Sequence, residues 1–286
     1  MPAITWWGHA TATVQDSGVR VLTDPVFTGR LAHLRRLRGP DPGPAAAEAD
    51  VVVVSHLHAD HLHLPSLAAL KHGTPVLIPA GAVAAVSGLR RLRGLEFVEV
   101  VPGDEVTVRT LRVRVVPALH DGRRWPVRSG RANALGYVVH GAATTYFAGD
   151  TDLFPSMPAE VGPCDVALLP VGGWGPRLGE GHLDPARAAL ALALLSARAA
   201  VPIHFGTFCP IGLHLRPGPW FRGPGPLFAA HAAHHAPDAA VHELAPGSTA
   251  DLTGNPVSSR PSHASMSGAR RRVGWAALRA RQTAAQ

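Results

Sequence analysis

The chain has 286 residues, 46% of them hydrophobic, a formal net charge of +7 and two cysteines, Cys164 and Cys209. That length suffices for one large α/β domain with a buried core, and so few cysteines exclude a disulfide scaffold, so both read as small buried residues. The charge is unevenly spread: from Asp251 onward six arginines stand against one acid, a net +5, which leaves about +2 on residues 1–250 and gives no argument for nucleic-acid binding.

The first residues, Met1-Pro2-Ala3-Ile4-Thr5-Trp6, show neither a basic segment nor a long apolar run, so no signal peptide is expected and a cytoplasmic location is the default. In chain order, strands are expected at Ile4–Trp7, Ala12–Gln15 and Arg20–Thr23. Val51–Val54 is a β-branched run suited to a strand buried on both faces. Further strands read at Pro75–Ile78, Val106–Thr110, Leu111–Val116, Gly136–Val139, Thr144–Ala148, Val166–Leu169 and Ala200–His204. Helices read at Leu64–His72, Ala80–Val86, Pro185–Ala199 and Pro226–Ala236. Asp184 before Pro185 is a strong start, an N-cap followed by proline at the first helical position. The apolar stretch Leu183–Val201 contains Asp184, Arg187 and Arg198, so it reads as a buried amphipathic helix and not a membrane span. Two groups of strands, each followed by helices, suggest a two-sheet sandwich flanked by helices over residues 1–250. Residues 251–286, rich in Ser, Ala, Gly, Pro and Arg, are expected to be a basic disordered tail; Ala269–Arg281 is a candidate helix for weak contact with an anionic surface.

Ser55-His56-Leu57-His58-Ala59-Asp60-His61 follows the Val51–Val54 strand directly. Imidazole and carboxylate are the ligands that borderline divalent metals prefer, and a strand end opening into a loop is the usual place for a site in an α/β protein. One loop cannot close two metal sites. His120, Asp150 and His204 each follow another expected strand, so all are candidates to converge at one edge of the sandwich.

This series, His56-x-His58-x-Asp60-His61 with His120, Asp150 and His204 in order, resembles the metallo-β-lactamase superfamily over roughly residues 3–250. The resemblance implies a four-layer αββα sandwich. It implies one divalent ion on His56, His58 and His120, a second on Asp60, His61 and His204, and Asp150 between them. Trp7-Gly8-His9-Ala10, Thr23-Asp24-Pro25, Gly173-Trp174-Gly175, Gly181-His182-Leu183-Asp184-Pro185 and His204-Phe205-Gly206-Thr207 are similar to the branch that holds L-ascorbate-6-phosphate lactonase and N-acylphosphatidylethanolamine phospholipase D. His58 stands where redox members carry glutamate, and Asp150 separates the chain from true β-lactamases.

The function expected from this resemblance is hydrolysis of a phosphodiester or lactone, in a small anionic or lipid substrate, by a hydroxide bridging two metal ions. Zinc is the first choice, with manganese or iron as alternatives. Asp60 and His182 are the catalytic candidates; His9 and Asp24 are candidates to orient ligands or meet substrate. Arg123, Arg124, Arg128 and Arg131 are candidates for a phosphate, and Trp125 and Trp174 for pocket walls. Leu31, Leu34 and Leu37 recur every three residues among Arg30, Arg35, Arg36 and Arg38, a pattern of a surface helix or of a basic membrane-surface element. Pro217–Phe228 reads as a loop bordering the site. Competing readings are a metal-dependent nuclease, against which the near-neutral body speaks, and a non-enzymatic metal-binding protein with a degenerate site.

Overall fold

The computed structural model describes residues 2–124 and 132–252 and the backbone of Arg272–Val273. The first half of the chain runs β1 (Ala3–Gly8), β2 (Thr11–Asp16), β3 (Val19–Thr23), β4 (Arg30–Leu31), β5 (Leu34–Arg36), α1 (Pro44–Ala47), β6 (Val51–Val53), α2 (Leu64–Ala68), β7 (Pro75–Pro79), α3 (Ala82–Ala85) and β8 (Glu96–Val100). The second runs β9 (Glu105–Val108), β10 (Leu111–Pro117), β11 (Leu135–His140), β12 (Thr144–Phe147), α4 (Met157–Val161), β13 (Val166–Pro170), α5 (Pro185–Leu194), β14 (Ala199–Ile203), β15 (Phe208–Pro210), α6 (Pro219–Arg222), α7 (Pro224–His235), β16 (Ala240–Val241), β17 (Ser248–Asp251) and β18 (Arg272–Val273).

The strands form a seven-stranded sheet, β17-β1-β2-β3-β6-β7-β8, an eight-stranded sheet, β16-β14-β13-β12-β11-β10-β9-β18, and a small sheet, β15-β5-β4. Alternation along β6 shows why four layers result. Val51 and Val53 join the core between the large sheets, while Val52 turns to Leu67 of α2 and Ala82 of α3 on the outside. On the far side α5 and α7 cover the second sheet, with Ala188, Leu192, Phe228 and Ala232 buried. The αββα sandwich expected from the sequence is therefore the fold.

Parallel pairing sets the site. β6 runs parallel to β3 and β7, and β12, β13 and β14 run parallel to one another. Their C-terminal ends therefore lie on one edge, and the loops after β6, β10, β12 and β14 open together there. Asp184 caps α5 as expected, its carboxylate accepting the Arg187 N–H at 2.8 Å.

Several expected elements are corrected. The period-three leucines form no helix: Leu31 and Leu34 lie on β4 and β5 and pack with Val26 and Phe208, while Arg30 and Arg35 face solvent. Pro217–Phe228 is mostly helical, because Pro219 and Pro224 stand at first helical positions, where the missing N–H costs nothing. α5 ends at Leu194, and the chain then enters β14 at Ala199. Strand β8 and helix α4 had no counterpart in the sequence reading. The body extends past residue 250, since Asp251 pairs with Ala3 and the Leu252 N–H reaches the Pro2 carbonyl. Beyond Leu252 only Arg272–Val273 lies within the described residues. It is extended beside β9, and the rest of the expected tail and its candidate helix lie outside. Both cysteines are free and buried. Among the described residues no helix is long and apolar enough to cross a membrane.

Candidate metal centre

His56 opens the loop after β6. Its Nδ1–H points to Ser55 Oγ at 3.0 Å, and the Ser55 hydroxyl donates to Asp24 Oδ2 at 2.6 Å. His120, after β10, gives its Nδ1–H to the Gly181 carbonyl at 2.9 Å. These partners leave Nε2 of each ring as a lone pair. His58 Nδ1 stands 2.9 Å from His56 Nε2 and 3.3 Å from His120 Nε2. Three ring nitrogens thus meet at one point.

A second group forms beside it. The Nδ1–H of His61 donates to Asp24 Oδ2 at 2.7 Å, and that of His204 to the Gly172 carbonyl at 2.8 Å. Their Nε2 atoms face each other at 3.2 Å. Asp60 Oδ2 lies 3.8 Å from His61 Nε2 and 4.0 Å from His204 Nε2, and is itself held by His9 Nε2 at 2.9 Å. Asp150 lies between the groups. Its Oδ2 is 3.2 Å from His61 Nε2 and 3.9 Å from His56 Nε2, and its Oδ1 is 3.2 Å from His204 Nε2.

This geometry asks for cations. Bare nitrogen lone pairs about 3 Å apart repel, whereas two ligands of one ion, each bound at ~2.0–2.1 Å, stand about that far apart. Asp150 Oδ1 is buried and accepts no hydrogen bond, an expensive state for a carboxylate unless an ion faces it. The donor set of imidazoles and carboxylates fits borderline divalent metals.

The electrostatics agree. Burial pushes His56 well below the usual imidazole range, lowers His120, and takes His58 to about 4 and His204 to about 3. These rings are neutral at pH 7, as ligation needs. Burial works to raise Asp60 and Asp150, but the facing imidazoles, chiefly His61 at Asp60 and His204 at Asp150, hold both well below the usual carboxylate range. Burial likewise opposes charge on His61, yet Asp150, Asp60 and Asp24 raise it well above its ordinary value. A metal entering there displaces a proton.

The backbone at the site is left-handed at three non-glycine residues: His9 (φ 53°), Asp24 (φ 35°) and His204 (φ 63°). Such strain persists only where surrounding contacts over-determine it. The His9 N–H donates to Thr207 Oγ1 at 2.8 Å, the His204 N–H to the His9 carbonyl at 2.9 Å, and the Asp24 N–H to the Val53 carbonyl at 3.0 Å. Gly8 completes the corner. It has φ 110°, and a Cβ there would lie 2.8 Å from both Arg36 Nη1 and Thr207 Cγ2.

All seven residues named as ligands from the sequence gather here. Asp24, His9 and His182 join them. Asp24 touches His61 and Ser55, His9 touches Asp60, and His182 Nε2 stands 3.4 Å from Asp150 Oδ2. His182 is partly exposed. Burial disfavours its charge, but the hydrogen bond and charge of Asp150, together with the carbonyls of Gly179 and Glu180, outweigh this and raise it. Of the arginines read as phosphate contacts, two lie within the described residues. Arg123 is paired with Asp121, and Arg124 Nη1 donates to the carbonyls of Leu57 (3.0 Å) and Leu62 (2.7 Å), clamping the loop of His56–His61. Trp125, Arg128 and Arg131 lie outside the described residues. Trp174 stands edge-on to His33, with ring centroids 5.1 Å apart. Sequence reasoning gave no role to Ser55, Thr207 or the Arg124 clamp. Ser55, adjacent to His56, was the one with a signal.

The sequence profile of the beta-lactamase superfamily domain matches residues 19–205. A metal-dependent hydrolase of Nitratidesulfovibrio vulgaris is 32% identical over 257 residues, covering 87% of this chain and 95% of that one. An N-acyl-phosphatidylethanolamine-hydrolyzing phospholipase D of Caenorhabditis elegans is 30% identical over 238 residues, covering 73% of this chain and 64% of that protein. Among solved structures, a metallo hydrolase of the archaeon Ignicoccus hospitalis superposes with a TM-score of 0.64 at 23% identity, covering 87% of this chain and 97% of that one, a likeness of fold.

Proposed function

The chain belongs to the beta-lactamase superfamily and is a metal-dependent hydrolase, and from that premise we propose that it uses two divalent ions, zinc first, to cleave a phosphodiester. The observation that carries the reading is Asp150, whose two oxygens face the two groups of ring nitrogens and whose Oδ1 has no other partner. One ion would rest on His56, His58 and His120, the other on Asp60, His61 and His204. Two ions so held supply an activated water and polarise the bond it attacks. A structural zinc site is closed by four protein ligands. Here seven ligands serve two positions, and His58, Asp60, His120 and His182 are only partly buried, which leaves room for substrate.

The protein's own groups divide the remaining work. Asp60, braced by His9, orients the attacking water. His182 has its Nδ1 held by the carbonyls of Gly179 (3.1 Å) and Glu180 (3.0 Å), and presents Nε2 to the cluster. From there Nε2 binds an anionic oxygen and passes its proton to the leaving group. The activity that names the Caenorhabditis elegans relative, hydrolysis of a phospholipid, favours a phosphodiester over a lactone.

The test joins elemental analysis of the purified chain to hydrolysis of bis-(p-nitrophenyl) phosphate with and without chelator. Two ions per chain, chelator-sensitive turnover and a dead Asp60→Ala variant are expected. Lactone turnover without diester turnover would overturn the phosphodiester assignment. Near-normal activity of Asp60→Ala would overturn the two-ion one.

A further inference from the structure

We propose that the small sheet β15-β5-β4 and the turn after it dock this chain on an anionic lipid surface, next to the mouth of the metal centre. Four observations converge on it. First, Arg30 and Arg35 are registered partners on the solvent face of β4 and β5. Like charges directly opposite each other weaken a strand pair, and neither arginine makes an ion pair among the described residues. Second, β15 leads straight into exposed apolar side chains: Ile211 is 46% exposed, Leu213 46% and Leu215 77%. Leucines so exposed and so near one another mark an interaction surface. Third, the exposed Arg216 follows them, and no aspartate or glutamate occurs anywhere from Pro185 to Pro237. Fourth, the patch adjoins the site. The Ile211 N–H donates to the His33 carbonyl at 2.8 Å, and the His33 ring packs on Trp174, two residues after the carbonyl that fixes His204.

The chemistry chooses the occupant. Apolar side chains with Arg216 next in the chain and Arg30 and Arg35 on the adjoining strands suit acyl chains beneath phosphate headgroups, with the leucines in the boundary and the guanidiniums on phosphate. A second copy of the chain fits poorly, because a symmetric contact would set Arg30 and Arg35 against each other, and Asp41, the exposed carboxylate beside Gly29, is already taken by Arg36. The contact is peripheral, through a turn and a short sheet. It goes beyond the hydrolase reading, and its test reads no turnover, so either can fail alone.

The experiment is vesicle flotation of the full metal-loaded chain, with phosphatidylcholine alone and with about 30% phosphatidylglycerol added to mimic an anionic leaflet. Binding is expected on the anionic vesicles only, weakening as salt rises. Leu213→Asn with Leu215→Asn should lower it about tenfold. Arg30→Gln and Arg35→Gln should each lower it about fivefold. Metal content and thermal midpoint should be unchanged in all three variants. No binding by the unaltered chain would overturn the proposal. So would binding that survives these substitutions, which would place the contact in the arginine-rich segment after Leu252. A dimer in sedimentation equilibrium that Leu213→Asn with Leu215→Asn dissolves would give the face to a second copy instead.

Discussion

The two halves of the candidate metal centre, three imidazoles in one and two imidazoles with Asp60 in the other, are held in different ways. Around His61 and Asp60 the support is buried and polar, while His204 rests on the Gly172 carbonyl. Asp24 is fully buried and takes the His61 Nδ1–H, the Ser55 N–H and the Ser55 hydroxyl, while His9 holds Asp60. Around His58 and His120 the support is main chain and the rings are partly exposed. The Gly181 carbonyl orients His120, and Arg124 ties down the loop that carries His56 and His58 through the carbonyls of Leu57 and Leu62. A carboxylate behind a ligand imidazole raises its basicity and locks its tautomer, whereas a carbonyl orients it with less charge. The first half is therefore the tighter and more rigid seat. The second is the more open one, facing solvent and substrate.

Substitutions can break this contrast. The largest effect is expected from Asp150→Ala, which removes the one carboxylate facing both halves. Both ions should be lost by elemental analysis, and diester turnover should fall on the order of 10³-fold. Retention of one tight ion would show that the halves assemble independently. Asp24→Ala should come next. Losing a buried carboxylate that takes three hydrogen bonds from Ser55 and His61 should lower stability by about 3–5 kcal/mol in thermal unfolding of the chelated chain. Affinity for the ion on His61 should weaken about 10- to 100-fold in a competition titration with a chromophoric chelator.

Smaller changes sharpen the contrast. Arg124→Gln should weaken only the ion on His56, His58 and His120, by about tenfold, with a loss of stability of about 1–2 kcal/mol. Equal weakening of both ions in the same titration would show that the clamp is not local. Thr207→Val removes the acceptor of the His9 N–H and should lower the unfolding free energy by about 1 kcal/mol in urea denaturation, leaving the ion on His120 unaffected. In stepwise chelation of the unaltered chain, the ion of the open half should leave first.

The sequence alone picked out the layers and the histidines and aspartates that gather at the candidate site. His56, His58, Asp60, His61, His120, Asp150 and His204 were legible because each sits at the end of a short apolar strand, and a strand buried on both faces leaves polar residues only where it stops. The αββα order followed from the same runs. Asp184–Pro185 marked the start of α5 because capping is a local interaction. What the sequence misread was whatever depends on partners far away along the chain. Leu31 and Leu34 have a period of three that suits a helix, yet β15, more than 170 residues on, pairs with β5 and makes them strand residues over Val26 and Phe208. Arg123 and Arg124 look alike in sequence. Only the packing of the loop after β10 against the loop after β6 decides that one meets Asp121 and the other two buried carbonyls. The same holds for the strained corner at His9 and His204, where the hydrogen bonds that offset left-handed backbone span almost 200 residues. Local patterning chooses elements and ligands. Tertiary hydrogen bonds decide which nitrogen of each ring carries the proton, and so which one is left to bind.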